Sequence, residues 1–449
     1  MRRYATSDAI ALSTQALEAA ERGEDEELRV RALVLRGCAQ EAAGAYDAAF
    51  GDLTLGAAAA RMVGDPRLEL RAISELGRSR PWSVKAGAAA APAAPGGAPI
   101  DYYMANLASG LRIAGSLGDR ASEADLLSQM AVASANRLRL ADALDYGKRA
   151  VSAARASGEG HALAAGLDGL KIAYLNVGDL GGLAGVLDEL RPLLRGLGDL
   201  YRLQWAEFES AYLSIAPGDL DKAAEAMQAG LEVNRRGGYP HFAAYYIAHL
   251  GWLARLRGDD KEAMTLGQRA VDIAEQGEQS WWQAAACAML GGTLLQAGDR
   301  TAATALLERG LTAAQRAGTE AYLLYCTAPL AAATRSPAVL ADADRLLGQA
   351  DIPAGGAWLL GEDAYRALAQ AWLDRGEPDR ARAVLAPLLA LAERVPWVPA
   401  LAASLAADAR ALIRLGEGER ARAQLLRAER LAAAHGLAHV REEARQAMG

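Results

Sequence analysis

The sequence predicts an all-α solenoid of antiparallel helix pairs, with a repeat of about 40 residues. The first observation is a Gly-Asp pair whose glycine recurs every 40 residues, at Gly178, Gly218, Gly258 and Gly298. A second set of glycines, among them Gly237, lies about midway between these markers, so turns recur about every 20 residues. Between the turns, apolar residues recur at helical spacing and no useful alternating strand pattern is present.

Each turn has a local chemical explanation. Glycine tolerates the left-handed conformation that ends a helix, and aspartate can accept hydrogen bonds from the first amides of the next helix. Asp259 is followed three residues later by Glu262, which is a capping-box pattern. The preceding segment places Ile247, Leu250 and Ala254 on one helical face. Neither helix of a pair can bury its apolar stripe alone, so neighbouring pairs must stack.

Composition indicates a protein with a large core that is not built to bind nucleic acid. Hydrophobic residues make up 52% of the 449 residues and charged residues 23%, and the net charge is −7. A protein that binds phosphate backbones is expected to carry an excess of positive charge, which this sequence does not have. The cysteines, Cys38, Cys287 and Cys326, lie far apart without metal or redox spacing, which favours a reducing cytoplasm. We expect neither a membrane span nor a secretory signal, because no sufficiently long apolar run is present.

The array is predicted to fall into three segments. Residues 1–80 form N-terminal repeats that start in mid-repeat, because residues 13–23 resemble the second helix of later pairs. Residues 81–100 form a loop or linker, since prolines and glycines in 86–100 prevent a continuous helix. This loop is either a solvated insertion or a hinge or lid over the binding groove. Residues 101–449 form the main array, which can be continuous with the first segment.

The repeat resembles the tetratricopeptide repeat. Gly251 and Gly258 stand seven residues apart and are followed by Ala263 and Ala270, as in that family's pattern. The period differs, because the family repeat has about 34 residues. Residues 267–277 and similar segments resemble the helical repeat regions of bacterial LuxR-type and signal-transduction ATPase regulators. The resemblance implies a right-handed superhelix in which the first helix of each pair (A) lines the concave wall and the second (B) lies outside.

Aromatic residues cluster on the predicted concave wall between residues 201 and 282. Trp205 and Tyr245 stand 40 residues apart, as do Tyr212 and Trp252, so both pairs are expected to be neighbours. An aromatic concavity with a few polar groups is suited to an apolar ligand or a partner segment. The candidate binding residues are Trp205, Phe208, Glu209, Tyr212, Phe242, Tyr245, His249, Trp252, Trp281 and Trp282.

The leading hypothesis is a non-enzymatic binding or scaffold protein. Its ligand would be a peptide, a protein partner or a small apolar molecule, held in the aromatic groove, and the chain can form a homo-oligomer. The competing structural interpretation is that the aromatic side chains only fill the gaps between successive A helices. A functional alternative, which the family resemblance implies, is the ligand-sensing and oligomerisation region of a transcriptional or signalling regulator.

Enzymatic chemistry is the second alternative, and the sequence offers little for it. No phosphate-binding loop or dinucleotide fingerprint is present, so we predict no cofactor. An enzyme using the groove would rely on His249, Glu209 or Tyr245 as acid or base. His435, His439 and Glu443 follow one another at four-residue spacing, which can ligate a metal on one helix face, but Gly436 between the histidines favours a surface pair over a metal site.

Overall fold

The structure, a computed structural model, describes residues 2–79, 99–277 and 279–448. Within these ranges the regular elements are α-helices, two short 3-10 helices, and one isolated bridge between Arg139 and Asp351. None of these helices is both long and apolar enough to cross a bilayer. The helices are α1 Arg2–Gly23, α2 Glu26–Ala42, α3 Tyr46–Val63, α4 Pro66–Ser79, α5 Pro99–Leu117, α6 Arg120–Asn136, α7 Leu140–Ser157, α8 Gly160–Val177, α9 Leu180–Leu197, α10 Leu200–Ile215, α11 Leu220–Gly237, α12 Ala243–Arg257, α13 Asp260–Gln276, α14 Ser280–Gln296, α15 Arg300–Ala317, α16 Glu320–Thr334, α17 Pro337–Gly348, α18 Glu362–Asp374, α19 Pro378–Arg394, α20 Val398–Arg414, α21 Gly418–Ala434 and α22 Ala438–Met448.

The turn chemistry predicted from the sequence is present. Gly258 ends α12 with a φ of 85°, and the Asp259 side chain accepts a hydrogen bond from the amide of Glu262 at the start of α13. One marker was assigned to the wrong residue: Gly237 is the last residue of α11, and Gly238 takes the left-handed conformation. The all-α fold of stacked helix pairs is therefore confirmed.

The predicted loop lies almost entirely outside the described part of the chain. Residues 81–98 are not among the described residues, and Pro99 and Ile100 already belong to α5. Its proposed role as an insertion, hinge or lid therefore stays a prediction.

The chain divides into two compact units. Unit 1 comprises Met1–Ala133, Asp145–Leu170 and Gln315–Gly318, and unit 2 comprises Ser134–Leu144, Lys171–Ala314 and Thr319–Gly449. Unit 1 has a continuous apolar core contributed by successive helices. Its most buried members include Val30, Leu53, Ile73, Leu107 and Leu126.

In unit 2 the A helices are buried much more completely than the B helices. Every residue from Pro399 to Ala409 is buried in the A helix α20. The following B helix, α21, buries a single stripe at three- and four-residue spacing, formed by Ala421, Leu425, Ala428 and Ala432. This difference supports the assignment of the A helices to the inner side of the array, where they are packed on both faces.

A second set of contacts in unit 2 joins residues that are 179 to 183 positions apart in the sequence. This distance equals about four and a half repeats, as expected where one turn of a superhelix packs on the next. We call these contacts the seam. They join the end of one A helix or its turn to the start of a later A helix. The pairs are Asn136 with Thr319, Asn176 with Trp358, Ala216 with Val398 and Asp260 with His439.

We predict that Trp358→Phe destabilises unit 2 by about 1–3 kcal/mol. The Trp358 indole N–H donates to Oδ1 of Asn176 at 2.9 Å, and both side chains are buried, so the change leaves a buried acceptor without its donor. Trp372→Phe is the matched control, because Nε1 of buried Trp372 has no hydrogen-bond partner among the described residues. Urea unfolding measures both variants, and equal losses would show that the seam bond contributes nothing.

Candidate ligand-binding site

The structure brings the ten predicted residues together within unit 2. They lie on the consecutive A helices α10, α12 and α14 and on the 3-10 turn Pro240–Phe242 that precedes α12. Stacking of successive repeats places equivalent positions side by side, so their rings form one connected network. The predicted contact between Trp205 and Tyr245 is present, with ring centroids 5.8 Å apart.

Trp205 lies at the centre of this network. Its indole stacks on Tyr246 at 5.4 Å and on Trp282 at 5.8 Å. Phe242 and Tyr245 contact it edge-on at 5.3 and 5.8 Å. Stacked and edge-on contacts of this kind fix ring orientation beyond simple burial. The network is therefore a rigid support rather than a set of independently mobile rings.

Most of the predicted residues are buried in this structure. Only three of them, Trp205, Tyr245 and Trp281, are half-buried, and these keep some surface available for contact. The other seven are buried in the network and pack behind these three: Phe208, Glu209, Tyr212, Phe242, His249, Trp252 and Trp282. The assignment of all ten to ligand contact stays a prediction.

The predicted contact between Tyr212 and Trp252 is replaced by a different one. Tyr212 stacks on Trp397 with an interplanar angle of 16° and a centroid distance of 6.1 Å. Trp397 directly precedes α20, next to the seam bond in which the amide of Val398 donates to the carbonyl of Ala216. The superhelical turn therefore places a ring from a later repeat against Tyr212.

Glu209 is held by a buried ion pair that the sequence analysis missed. Its carboxylate lies 2.7 Å from Nζ of Lys171, and the two side chains are 6% and 1% exposed. Lys171 comes from α8, within the otherwise apolar run Leu170–Leu175. A lysine inside such a run was a usable signal, because lysine is almost never fully buried unless it is paired.

His249 is neutral at physiological pH. Burial lowers the pKa of this imidazole to about 4, although its hydrogen bond with the Tyr245 carbonyl opposes the shift. Nδ1 lies 2.9 Å from that carbonyl oxygen and therefore donates to it, which leaves Nε2 as an acceptor. The ring also packs edge-on against Phe208 at 4.9 Å.

We predict that the His249→Asn variant loses less stability than the native protein when the pH is lowered from 6.5 to 4. In the unfolded chain the imidazole takes up a proton below about pH 6.5, whereas the folded protein must hold it neutral. The native protein therefore keeps the full contribution of this imidazole to its free energy of unfolding above pH 6.5. Between pH 6.5 and 4 it loses about 3 kcal/mol of that free energy through this imidazole. Asparagine keeps a donor near the Tyr245 carbonyl and does not titrate. Urea unfolding across this range measures the difference, and parallel pH curves would contradict the prediction.

A second polar cluster, also missed from the sequence, lies between α12 and the start of α18. Arg255 forms an ion pair with Asp363, and Arg366 lies 3.4 Å from the same carboxylate. Burial opposes ionisation of Asp363, but the two arginines and a hydrogen bond from Trp252 lower its pKa. A side chain at Gly292 would begin 2.6 Å from Nη1 of Arg255, so that glycine leaves room for the guanidinium group.

The groups proposed for metal binding or acid–base chemistry have other partners. His439 contacts Asp260 at 2.7 Å, and Glu443 forms an ion pair with Arg410 at 2.8 Å. In the described part of the chain, no three or more His, Cys, Asp or Glu side chains group as metal ligands would. Burial raises the pKa of Tyr245 well above 10, so this phenol is poorly placed to act as an acid or base near neutral pH.

The helix pairs, their glycine and aspartate turns and their buried inner helices define a tetratricopeptide-like repeat protein. A family model described as the MalT-like TPR region matches residues 126–440, and the chain belongs to this family. No curated protein sequence matches the chain.

Solved structures share this fold at low sequence identity. A Rap protein complexed with competence and sporulation factor is 14% identical, with a TM-score of 0.57 over 81% of this chain and 98% of the Rap chain. The Rap conjugation gene regulator of plasmid pLS20, in complex with the Phr* peptide, is 12% identical, with a TM-score of 0.51 over 84% of this chain and 97% of the regulator chain. At these identities the likeness shows the fold alone.

Proposed function

We propose that the chain is a non-enzymatic recognition protein that binds a peptide segment at the inner aromatic face of unit 2. The contact surface would consist of the half-buried rings of Trp205, Tyr245 and Trp281. The observation that carries the proposal is their support: Trp282 contacts all three rings, at 4.9 to 6.4 Å. A surface that is held rigid in this way loses little conformational entropy on binding.

A peptide is favoured over a small apolar molecule by the ligands of the two Rap structures that share this fold. The Lys171–Glu209 pair and neutral His249 lie directly behind the aromatic face. Because these groups are buried, they hold the rings in place and would not contact the ligand themselves. The two Rap structures that share this fold were solved with a factor or peptide bound, which supports the same class of ligand.

The test uses an array of immobilised random peptides probed with the full chain. We expect a reproducible set of bound peptides, and the variants Trp281→Ala and Tyr245→Ala should bind them at least about tenfold more weakly. Tyr146→Ala is the control, because Tyr146 is also half-buried but belongs to unit 1. Helical circular dichroism checks that each variant is folded. Unchanged affinity in folded Trp281→Ala and Tyr245→Ala proteins would exclude the aromatic face.

A second candidate function is the sensing and oligomerisation region of a regulator, which membership of the MalT-like TPR family favours. It predicts that a bound peptide from the array changes the oligomeric state of the chain. Light scattering with and without that peptide decides between the two functions. A simple recognition protein keeps the same oligomeric mass when the peptide binds, whereas a sensing and oligomerisation region changes it.

A further inference from the structure

Glu362, the first residue of α18, is a buried carboxylate with only one of its two oxygens hydrogen-bonded. Its side chain is 3% exposed, and Oε2 accepts a hydrogen bond from the indole N–H of Trp397. Oε1 has no hydrogen-bond partner among the described residues. Leaving a buried acceptor unsatisfied is costly, and such atoms are rare in folded proteins.

The neighbouring cationic side chains form ion pairs with other carboxylates. Lys171 pairs with Glu209, and both Arg255 and Arg366 lie against Asp363. In the described part of the chain, no lysine or arginine forms an ion pair with Glu362. This carboxylate therefore has one oxygen atom, Oε1, that is neither hydrogen-bonded nor paired with a cation among the described residues.

Three aromatic residues lie near the carboxylate. Trp397 and Tyr212 stack on each other, and after burial the Glu362 carboxylate is among the charges that raise the pKa values of the Tyr212 and Tyr325 phenols. Ring faces attract cations, most strongly where water is excluded. Asp363 and Arg366 on the same helix keep 26% and 25% of their side-chain surface exposed, so solvent reaches the adjoining face of α18.

We propose that Glu362 is the anionic end of a subsite for a cationic nitrogen group, either an ammonium or a guanidinium. Trp397, Tyr212 and Phe208 connect it to Tyr245 of the aromatic face, so it would take a lysine, arginine or N-terminal group of the bound peptide. That last assignment rests on the proposed function, whereas the subsite itself does not.

Titration of Glu362 supplies a readout for the proposal. Burial raises its pKa to about 7, Asp363 raises it further, and the Trp397 hydrogen bond and both arginines oppose the shift. A cation bound at Oε1 favours the charged form, so it displaces the proton and lowers the pKa. The titratable and charged groups that face Glu362 are Asp363 and Arg366 on its own helix, Arg255 on α12, Tyr212 on α10 and Tyr325 on α16.

The experiment follows the indole N–H signal of Trp397 in the full chain labelled with ¹⁵N-tryptophan, assigned with Trp397→Phe. Its pH titration is recorded alone, with n-butylguanidinium, and with N-butylurea, which has nearly the same shape but no charge. We expect butylguanidinium to lower the midpoint by about one pH unit or more, and butylurea to leave it unchanged. Glu362→Gln, which still accepts the Trp397 hydrogen bond, should lose the titration and bind butylguanidinium about tenfold more weakly or worse.

The proposal is overturned if butylguanidinium leaves the midpoint in place, if butylurea acts equally, or if Glu362→Gln binds with unchanged affinity. A buried water that satisfies Oε1 would give the first of these results. The peptide array reports separately on the proposed function. Cation binding without any peptide binding would reject that function alone, and peptide binding with an inert Glu362 would reject the subsite alone.

Discussion

Replacing Glu209 with methionine is expected to destabilise unit 2 by about 3–5 kcal/mol. The change removes the partner of Lys171, whose side chain is only 1% exposed and lies 2.7 Å from the carboxylate. A lysine that is left charged in this position must lose its proton or open the surrounding packing. Urea unfolding followed by tryptophan fluorescence is a suitable measurement, because all seven tryptophans among the described residues lie in unit 2.

The double variant Lys171→Met with Glu209→Met separates the cost of an unpaired charge from the value of the pair. Replacing both charges with apolar side chains of similar length should restore most of the lost stability. Asp145→Met provides the surface control, since its pair with Arg149 is exposed and is expected to contribute less than about 1 kcal/mol. A double variant as unstable as Glu209→Met would show that the loss comes from packing and not from an uncompensated charge.

The repeat and its turns were predictable because their chemistry is local. Gly258 and Asp259 end one helix and begin the next through bonds within five residues of the turn. The contact of Trp205 with Tyr245 was predictable for a related reason, since a fixed period places equivalent positions of adjacent repeats together. Gly237 was confused with Gly238 because either of two adjacent glycines can end a helix.

The seam and the burial of the candidate site could not be predicted in this way. Contacts such as Trp358 with Asn176 depend on the twist accumulated over several repeats, and no local sequence signal encodes that twist. The same twist brings Trp397 onto Tyr212 and Arg255 onto Asp363. Burial of the predicted face therefore has two sources: its rings pack on one another, and at Tyr212 a ring from a later repeat covers it.

Gly230→Ala is expected to destabilise unit 2 by about 1–3 kcal/mol, even though alanine is the better helix former. Gly230 lies on α11 where that helix packs on α10. An added methyl group would begin 2.9 Å from the carbonyl oxygen of Gln204 and 3.0 Å from the amide nitrogen of Phe208. Because both atoms are backbone, the two helices must separate.

The control is Gly185→Ala on α9, where an added methyl group meets nothing within 4 Å. That variant should gain about 0.5–1 kcal/mol from helix propensity alone. Separation of α10 from α11 also displaces Trp205 and Glu209, so Gly230→Ala should weaken binding to the array peptides, while Gly185→Ala leaves it intact. If Gly230→Ala unfolds at the same urea concentration as Gly185→Ala, α10 and α11 are not packed as closely as the structure shows, and the rigid support inferred for the aromatic face is lost with that packing.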